Sequence, residues 1–168
     1  MPPKSKTPEQ LMTAARSSFS ALCARSEQCA ADLRDKMWRR GLTSAQIASL
    51  LSELREAGFI DDARFCRAFT HDKTEFGGWG LRKINLVLRQ KKMPEQCIAE
   101  AFDSIDRDRY EAIAMNVARG RARGRDLNDA ADRRRLFAAL IQRGFESQVA
   151  TNCVKRLRME MQSSDRAD

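Results

Sequence analysis

Asp32-Leu33-Arg34-Asp35-Lys36-Met37-Trp38-Arg39-Arg40-Gly41-Leu42 returns twice further along the chain. The second copy is Lys83-Ile84-Asn85-Leu86-Val87-Leu88-Arg89-Gln90-Lys91-Lys92-Met93, and the third is Arg135-Leu136-Phe137-Ala138-Ala139-Leu140-Ile141-Gln142-Arg143-Gly144-Phe145. Leu33, Ile84 and Leu136 fall in register, as do Met37, Leu88 and Leu140. The basic trio Arg40, Lys91 and Arg143 follows, then the apolar trio Leu42, Met93 and Phe145. Downstream, Leu51, Phe102 and Val154 align, and then Leu54, Ile105 and Leu157. A unit recurring at this spacing is the signature of a repeat architecture, in which each copy buries its apolar face against a neighbour.

Each copy reads as three helices. Thr7-Pro8-Glu9-Gln10 opens the first as a capping box with proline at the first helical position. Ser26 is the expected cap of the second helix, whose stripe is Cys29, Leu33 and Met37. Gly41 supplies a turn, Thr43 and Gln46 a further capping box, and Ile47, Leu50, Leu51 and Leu54 one apolar face. Gly58 ends that helix as a C′ residue.

In the second copy Asp61 or Asp62 caps a helix carrying Phe65 and Phe69, reaching Phe76 if the stripe continues. Gly77-Gly78-Trp79-Gly80 breaks it. Ile84, Val87 and Leu88 mark the next helix, and Ile98, Ala101, Phe102 and Ile105 the one after Pro94. The third copy shows Tyr110, Ile113, Ala114 and Val117, then Leu136 and Leu140, then Ala150, Cys153, Val154 and Leu157. The expected fold is all-α: three tandem three-helix repeats stacked into an elongated, curved array. Its parts are repeats at 8–58, 59–106 and 107–160, with flexible tails at 1–7 and 161–168.

Composition agrees with that class. Of 168 residues, 42% are apolar and 32% charged, enough for a core and against wholesale disorder. Eight glycines and four prolines are too few for a many-stranded barrel or sandwich. Five cysteines without a C-x-x-C pair, most at apolar helical positions, read as buried thiols rather than zinc ligands or disulfides. His71 is the only histidine and has no nucleophile or ligand spacing around it. No phosphate loop or dinucleotide fingerprint is present, so no enzyme, metal or cofactor is expected. The absence of an apolar signal segment or membrane-length run points to the cytoplasm.

The net charge is +8, with a pI near 9.7. It is unevenly placed. Residues 107–160 hold 13 basic and 7 acidic residues, whereas residues 59–106 hold 8 of each. Two concentrations stand out: Arg82, Lys83, Arg89, Lys91 and Lys92, and then Arg119, Arg121, Arg123 and Arg125 with Arg133, Arg134 and Arg135. An arginine-rich balance suits phosphate or carboxylate forks on a polyanion; a solvated face is the plainer reading. Trp79 either stacks on a base or closes a loop over the core, the latter being the commoner use. Trp38 reads as inter-repeat packing, and Asp61-Asp62 as a helix cap rather than a paired-carboxylate site.

Four of these stretches, in order, resemble the RecX family of recombination regulators. They are Arg25-Ser26 through Leu33 to Arg40-Gly41, Gly58-Phe59-Ile60-Asp61-Asp62-Ala63-Arg64-Phe65, Gly80-Leu81-Arg82-Lys83-Ile84 to Lys91-Lys92, and Leu136 to Phe145. The resemblance runs from about residue 15 to residue 157. Two positions depart from the family's pattern: Lys92 stands where glycine is common, and Trp79 is an unusual neighbour for the Gly80 turn.

The resemblance implies a non-enzymatic modulator of the RecA protein, lying as a crescent in the groove of the RecA–DNA filament. It implies limits on filament growth, ATP hydrolysis and strand exchange, by a monomer touching DNA without sequence preference. The residues expected to make partner contact are Arg82, Lys83, Arg89, Lys91, Lys92, Arg119, Arg121, Arg123, Arg125, Arg133, Arg134 and Arg143. Two other readings compete. One is a basic helical protein acting directly on DNA, since helix–Gly41–helix looks like a helix-turn-helix. Its reading helix would offer Ser44, Ala45, Gln46, Ser49, Ser52 and Glu53 with only Arg55 basic, a poor base-reading face. The other is a scaffold for an acidic protein.

Overall fold

The structure is a computed structural model and describes residues 7–164. The tail expectations at 1–6 and 165–168 lie outside those residues. Nine helices and no strand occur among the described residues. The first unit holds α1 (Pro8–Arg25), α2 (Ala30–Arg39) and α3 (Ser44–Glu56). The second holds α4 (Asp62–Glu75), α5 (Leu81–Gln90) and α6 (Glu95–Asp103). The third holds α7 (Arg107–Ala122), α8 (Ala130–Gln142) and α9 (Ser147–Ser164). Helix α9 thus runs past residue 160 to Ser164, and Thr7 is the cap of α1 rather than a loose tail residue.

Local chemistry sets most helix starts. Thr7–Gln10 and Thr43–Gln46 both form complete capping boxes. Asp61, Asp106 and Asp129 accept backbone N–H bonds at the starts of α4, α7 and α8. Ser26 does not cap α2. It ends α1 in extended conformation, and Cys29 takes the N-cap position with no side-chain bond. The chain stays extended so that Cys29 can enter the core, where it is fully buried. Core placement therefore outweighs about 1 kcal/mol of capping energy there.

The second helix of every unit ends in the same way. Arg40, Lys91 and Arg143 are the C-cap residues. Gly41, Lys92 and Gly144 follow with φ of +81°, +59° and +93°. Leu42, Met93 and Phe145 then donate back to the carbonyls of Met37, Leu88 and Leu140, closing three Schellman motifs. All three apolar residues are buried. The repeat seen in the sequence is thus a repeat of hydrogen bonds.

Core residues form two clusters. Phe19, Leu33, Met37, Leu50 and Leu54 belong to one within the first unit. Ile84, Leu88, Tyr110, Leu136, Leu140 and Phe145 belong to one that runs unbroken through the second and third units, joined by Cys29. Two expectations fail. Phe76 is the C-cap of α4 and 82% exposed, because the glycines that follow stop the stripe. Trp38 is 63% exposed, since it follows Met37 by one residue and points off the buried stripe.

The joints between units differ. At the second, Gly80 donates its N–H to the Arg143 carbonyl at 2.9 Å and Arg82 donates to Gly144 at 3.0 Å. Buried Tyr110 accepts from the Leu81 N–H at 3.0 Å and donates to Glu146 Oε2 at 2.6 Å. At the first joint the polar contacts are made by charged side chains. Lys91 Nζ meets both Asp32 oxygens at 2.6 and 2.7 Å, Arg64 pairs with Glu27 at 2.9 Å, and Arg55 with Asp62 at 3.1 Å.

Candidate nucleic-acid interface

The basic residues singled out from the sequence divide by what holds them. Lys91 belongs to the first joint through Asp32. Arg143 turns inward at the second, 3.4 Å from the Gly77 carbonyl, with a buried Nε lacking a partner among the described residues. Arg40, their counterpart in the first unit, lies 4.8 Å from the Phe19 ring centroid. The recurring basic C-cap is therefore a structural position in each unit, favoured also by the helix dipole. Arg133 donates to the carbonyls of Leu127 and Asn128, tying the loop before α8.

Three others face an acid. Arg89 pairs with Glu95 at 2.8 Å, Arg119 with Glu160 at 3.2 Å and Arg125 with Asp132 at 3.6 Å. Lys83 sits 4.0 Å over the Trp79 ring, and Lys73 lies 5.0 Å from the same centroid. Trp79 packs partly buried on the core with cations against it, which is the loop-closing role. Its ring is not an open stacking platform.

Arg82, Lys92, Arg121, Arg123 and Arg134 remain exposed, with no ion pair among the described residues. Arg82 and Lys92 lie at opposite ends of α5, and Arg121 and Arg123 at the end of α7. Lys92 holds the left-handed position that glycine fills in the other two units. A lysine there accepts backbone strain of about 1 kcal/mol and keeps a full charge on the turn. Lys155 and Arg158 on α9 flank the same groove as Arg133 and Arg134. Neither belongs to the charge clusters that stand out in the sequence. Their spacing of three residues on one helix face was the available signal.

The remaining reactive groups are quiet. Burial pushes the Cys66 thiol up to about 12 and raises Cys29 and Cys153 as well, so none is a thiolate at neutral pH. No group of three metal-ligating side chains occurs among the described residues. No described helix is long and apolar enough to cross a membrane.

Three chained three-helix units with repeated Schellman turns and a cationic surface define a modular helical-repeat protein. The chain belongs to the RecX family of regulatory proteins. It is 30% identical over 155 residues to the regulatory protein RecX of Thermobifida fusca (strain YX), covering 92% of this chain and 84% of that one. It is also 30% identical over 129 residues to the regulatory protein RecX of Mycolicibacterium smegmatis, covering 74% and 69%. The family model for the RecX second three-helix domain matches residues 61–101, from the α4 cap to the end of the α6 core. The crystal structure of RecX from Lactobacillus salivarius shares the fold, with a TM-score of 0.72 at 13% identity over 89% of this chain and 97% of that one.

Proposed function

We propose that this protein binds the RecA–DNA filament in its groove and modulates, mainly by inhibition, filament growth, ATP hydrolysis and strand exchange in recombination and repair. It acts as a cytoplasmic monomer, with no cofactor and no catalysis of its own. Membership of the RecX family supports the regulatory role. The observation that carries the contact surface is the set of exposed cations, Arg82, Lys92, Arg121, Arg123 and Arg134, distributed over two successive units. A row of units can meet successive protomers, and weak contacts then sum through effective concentration. DNA is reached without base readout, because these cations are spread over α5, α7, α8 and their turns rather than along one reading helix. Cosedimentation with RecA–single-stranded-DNA filaments, beside bare DNA and free RecA, tests this. Binding to the filament well above binding to either component supports it. Equal binding to bare DNA would favour a direct DNA-binding protein instead.

A further inference from the structure

The third unit carries a surface feature that the filament reading does not require. Between α8 and α9 lies an open groove of about 540 Å³. Phe137 and Val154 form its floor. Arg133 and Arg134 stand on one bank, and Lys155 and Arg158 on the other. Thr151, Val154, Lys155 and Arg158 follow at i, i+3, i+4 and i+7, so α9 presents them on one face. No acidic side chain lines the groove, and Arg134, Lys155 and Arg158 make no ion pair among the described residues. Arg133 bonds only carbonyls, which leaves its charge uncancelled.

The other units show that this charge is particular to the third. In the first unit a groove at the same repeat position includes Leu51 in place of Val154 and Ala48 in place of Thr151, but Arg34 stands in place of Phe137 and the acid Asp35 also lines it. The positions of Lys155 and Arg158 are Ser52 and Arg55 in the first unit, and Asp103 and Asp106 in the second. The apolar floor position persists through all three copies as Leu51, Phe102 and Val154, while its rim changes sign.

We propose that the α8–α9 groove is a docking site for an acidic amphipathic segment of a partner protein. Apolar side chains of that segment seat on Phe137 and Val154, and its carboxylates meet the four cations. An apolar seat between two helices is the helix-in-groove mode of recognition, and the rim supplies complementarity and faster encounter. A single-stranded nucleic acid fits less well. Phe137 is the only aromatic ring lining the groove, so successive bases have no row of rings to stack on, and phosphates gain nothing from an apolar floor. Arg134 is shared with the proposed filament surface, whereas the apolar seat and the α9 cations Lys155 and Arg158 are not part of it.

Fluorescence anisotropy of the full chain with a short glutamate-rich peptide, bearing two leucines one helical turn apart, tests it. Saturable binding is expected. Thr151→Trp, which plugs the groove from its exposed wall, should weaken it about tenfold or more, as should Arg134→Glu with Arg158→Glu. These are exposed positions, so the helical signal should match the parent. Replacing the peptide's leucines by serine should also cost about tenfold. Equal binding of the serine peptide would reduce the groove to general polyanion attraction and overturn the proposal. So would unchanged binding by both variants, or efficient displacement of the peptide by oligothymidylate in the parent but not in the plugged variant.

Discussion

Gly80 and Gly144 are in backbone contact across the joint between the second and third units. A β-carbon on Gly80 would overlap the carbonyl carbon of Gly144 and the Phe145 nitrogen, and one on Gly144 would overlap Lys83. Gly80 itself is in ordinary extended conformation, with φ of −80°. Space, rather than torsional freedom, requires glycine there.

Gly80→Ala should therefore destabilise the protein by about 1–3 kcal/mol or more, because the obstructing atoms are backbone. Gly41→Ala meets no neighbour and should cost only the left-handed backbone penalty of about 1 kcal/mol. Gly120→Ala, inside α7 and facing open space, should stabilise by about 0.5–1 kcal/mol. Urea unfolding of the three variants checks the order.

Lys92→Gly should stabilise the fold by about 1 kcal/mol by relieving the left-handed lysine. If its charge serves the filament, the same change should weaken filament cosedimentation. A variant that gains stability and binds as the parent does would remove Lys92 from the contact surface.

Leu54→Ala and Leu157→Ala should each cost about 2–5 kcal/mol, since both side chains are buried in their clusters. Ile105, their counterpart by register, is only partly buried, and Ile105→Ala should cost less than either. Thermal or chemical denaturation of the series measures the difference.

Acid should loosen the protein through its carboxylates. Hydrogen bonds from Arg16, Arg109 and Arg135 hold Glu53, Glu75 and Asp132 below their usual range, and the Arg64 backbone N–H does the same for Asp61. A depressed folded-state value contributes stability above the unfolded value, near pH 4, that is lost as pH falls through and below that range. Glu75→Gln should flatten this acid limb in melting curves. The effect is expected to be small, because these pairs are exposed and screened by salt.

Charge reversal tests the partner surface. If the proposed filament contact holds, Arg121→Glu with Arg123→Glu should weaken inhibition of RecA and reduce the dependence of binding on log salt by about one to two contacts' worth of slope. The helical signal should be unchanged, and substitution of the exposed Glu56, outside both clusters, should do little. Inhibition equal to the parent's across salt concentrations would make these arginines a solvated face.

The register of Leu33, Ile84 and Leu136 was legible because a fixed spacing of apolar residues reports burial directly. The Thr7 and Thr43 capping boxes were legible because both partners lie within one turn. What escaped depends on distance along the chain. Lys91 finds Asp32 59 residues away, and Gly80 finds Gly144 only once two units have docked. Ser26 misled because a good local cap lost to the burial of Cys29, three residues on. Among the basic residues, charge density found the clusters but could not separate Arg121, left exposed, from Arg143, turned inward. Lys155 and Arg158 were passed over because they follow helical spacing instead of forming a run.

The contrast between the two joints has a mechanical consequence. Long charged side chains can rotate and still hold their partners, whereas two peptide backbones in contact leave no slack. On that account the first joint, which also holds the buried Cys29, yields to bending more readily than the second. In the proposed filament complex, adjustment to a change in pitch would fall first to that joint, and a small rotation there would be magnified at the far end of the third unit.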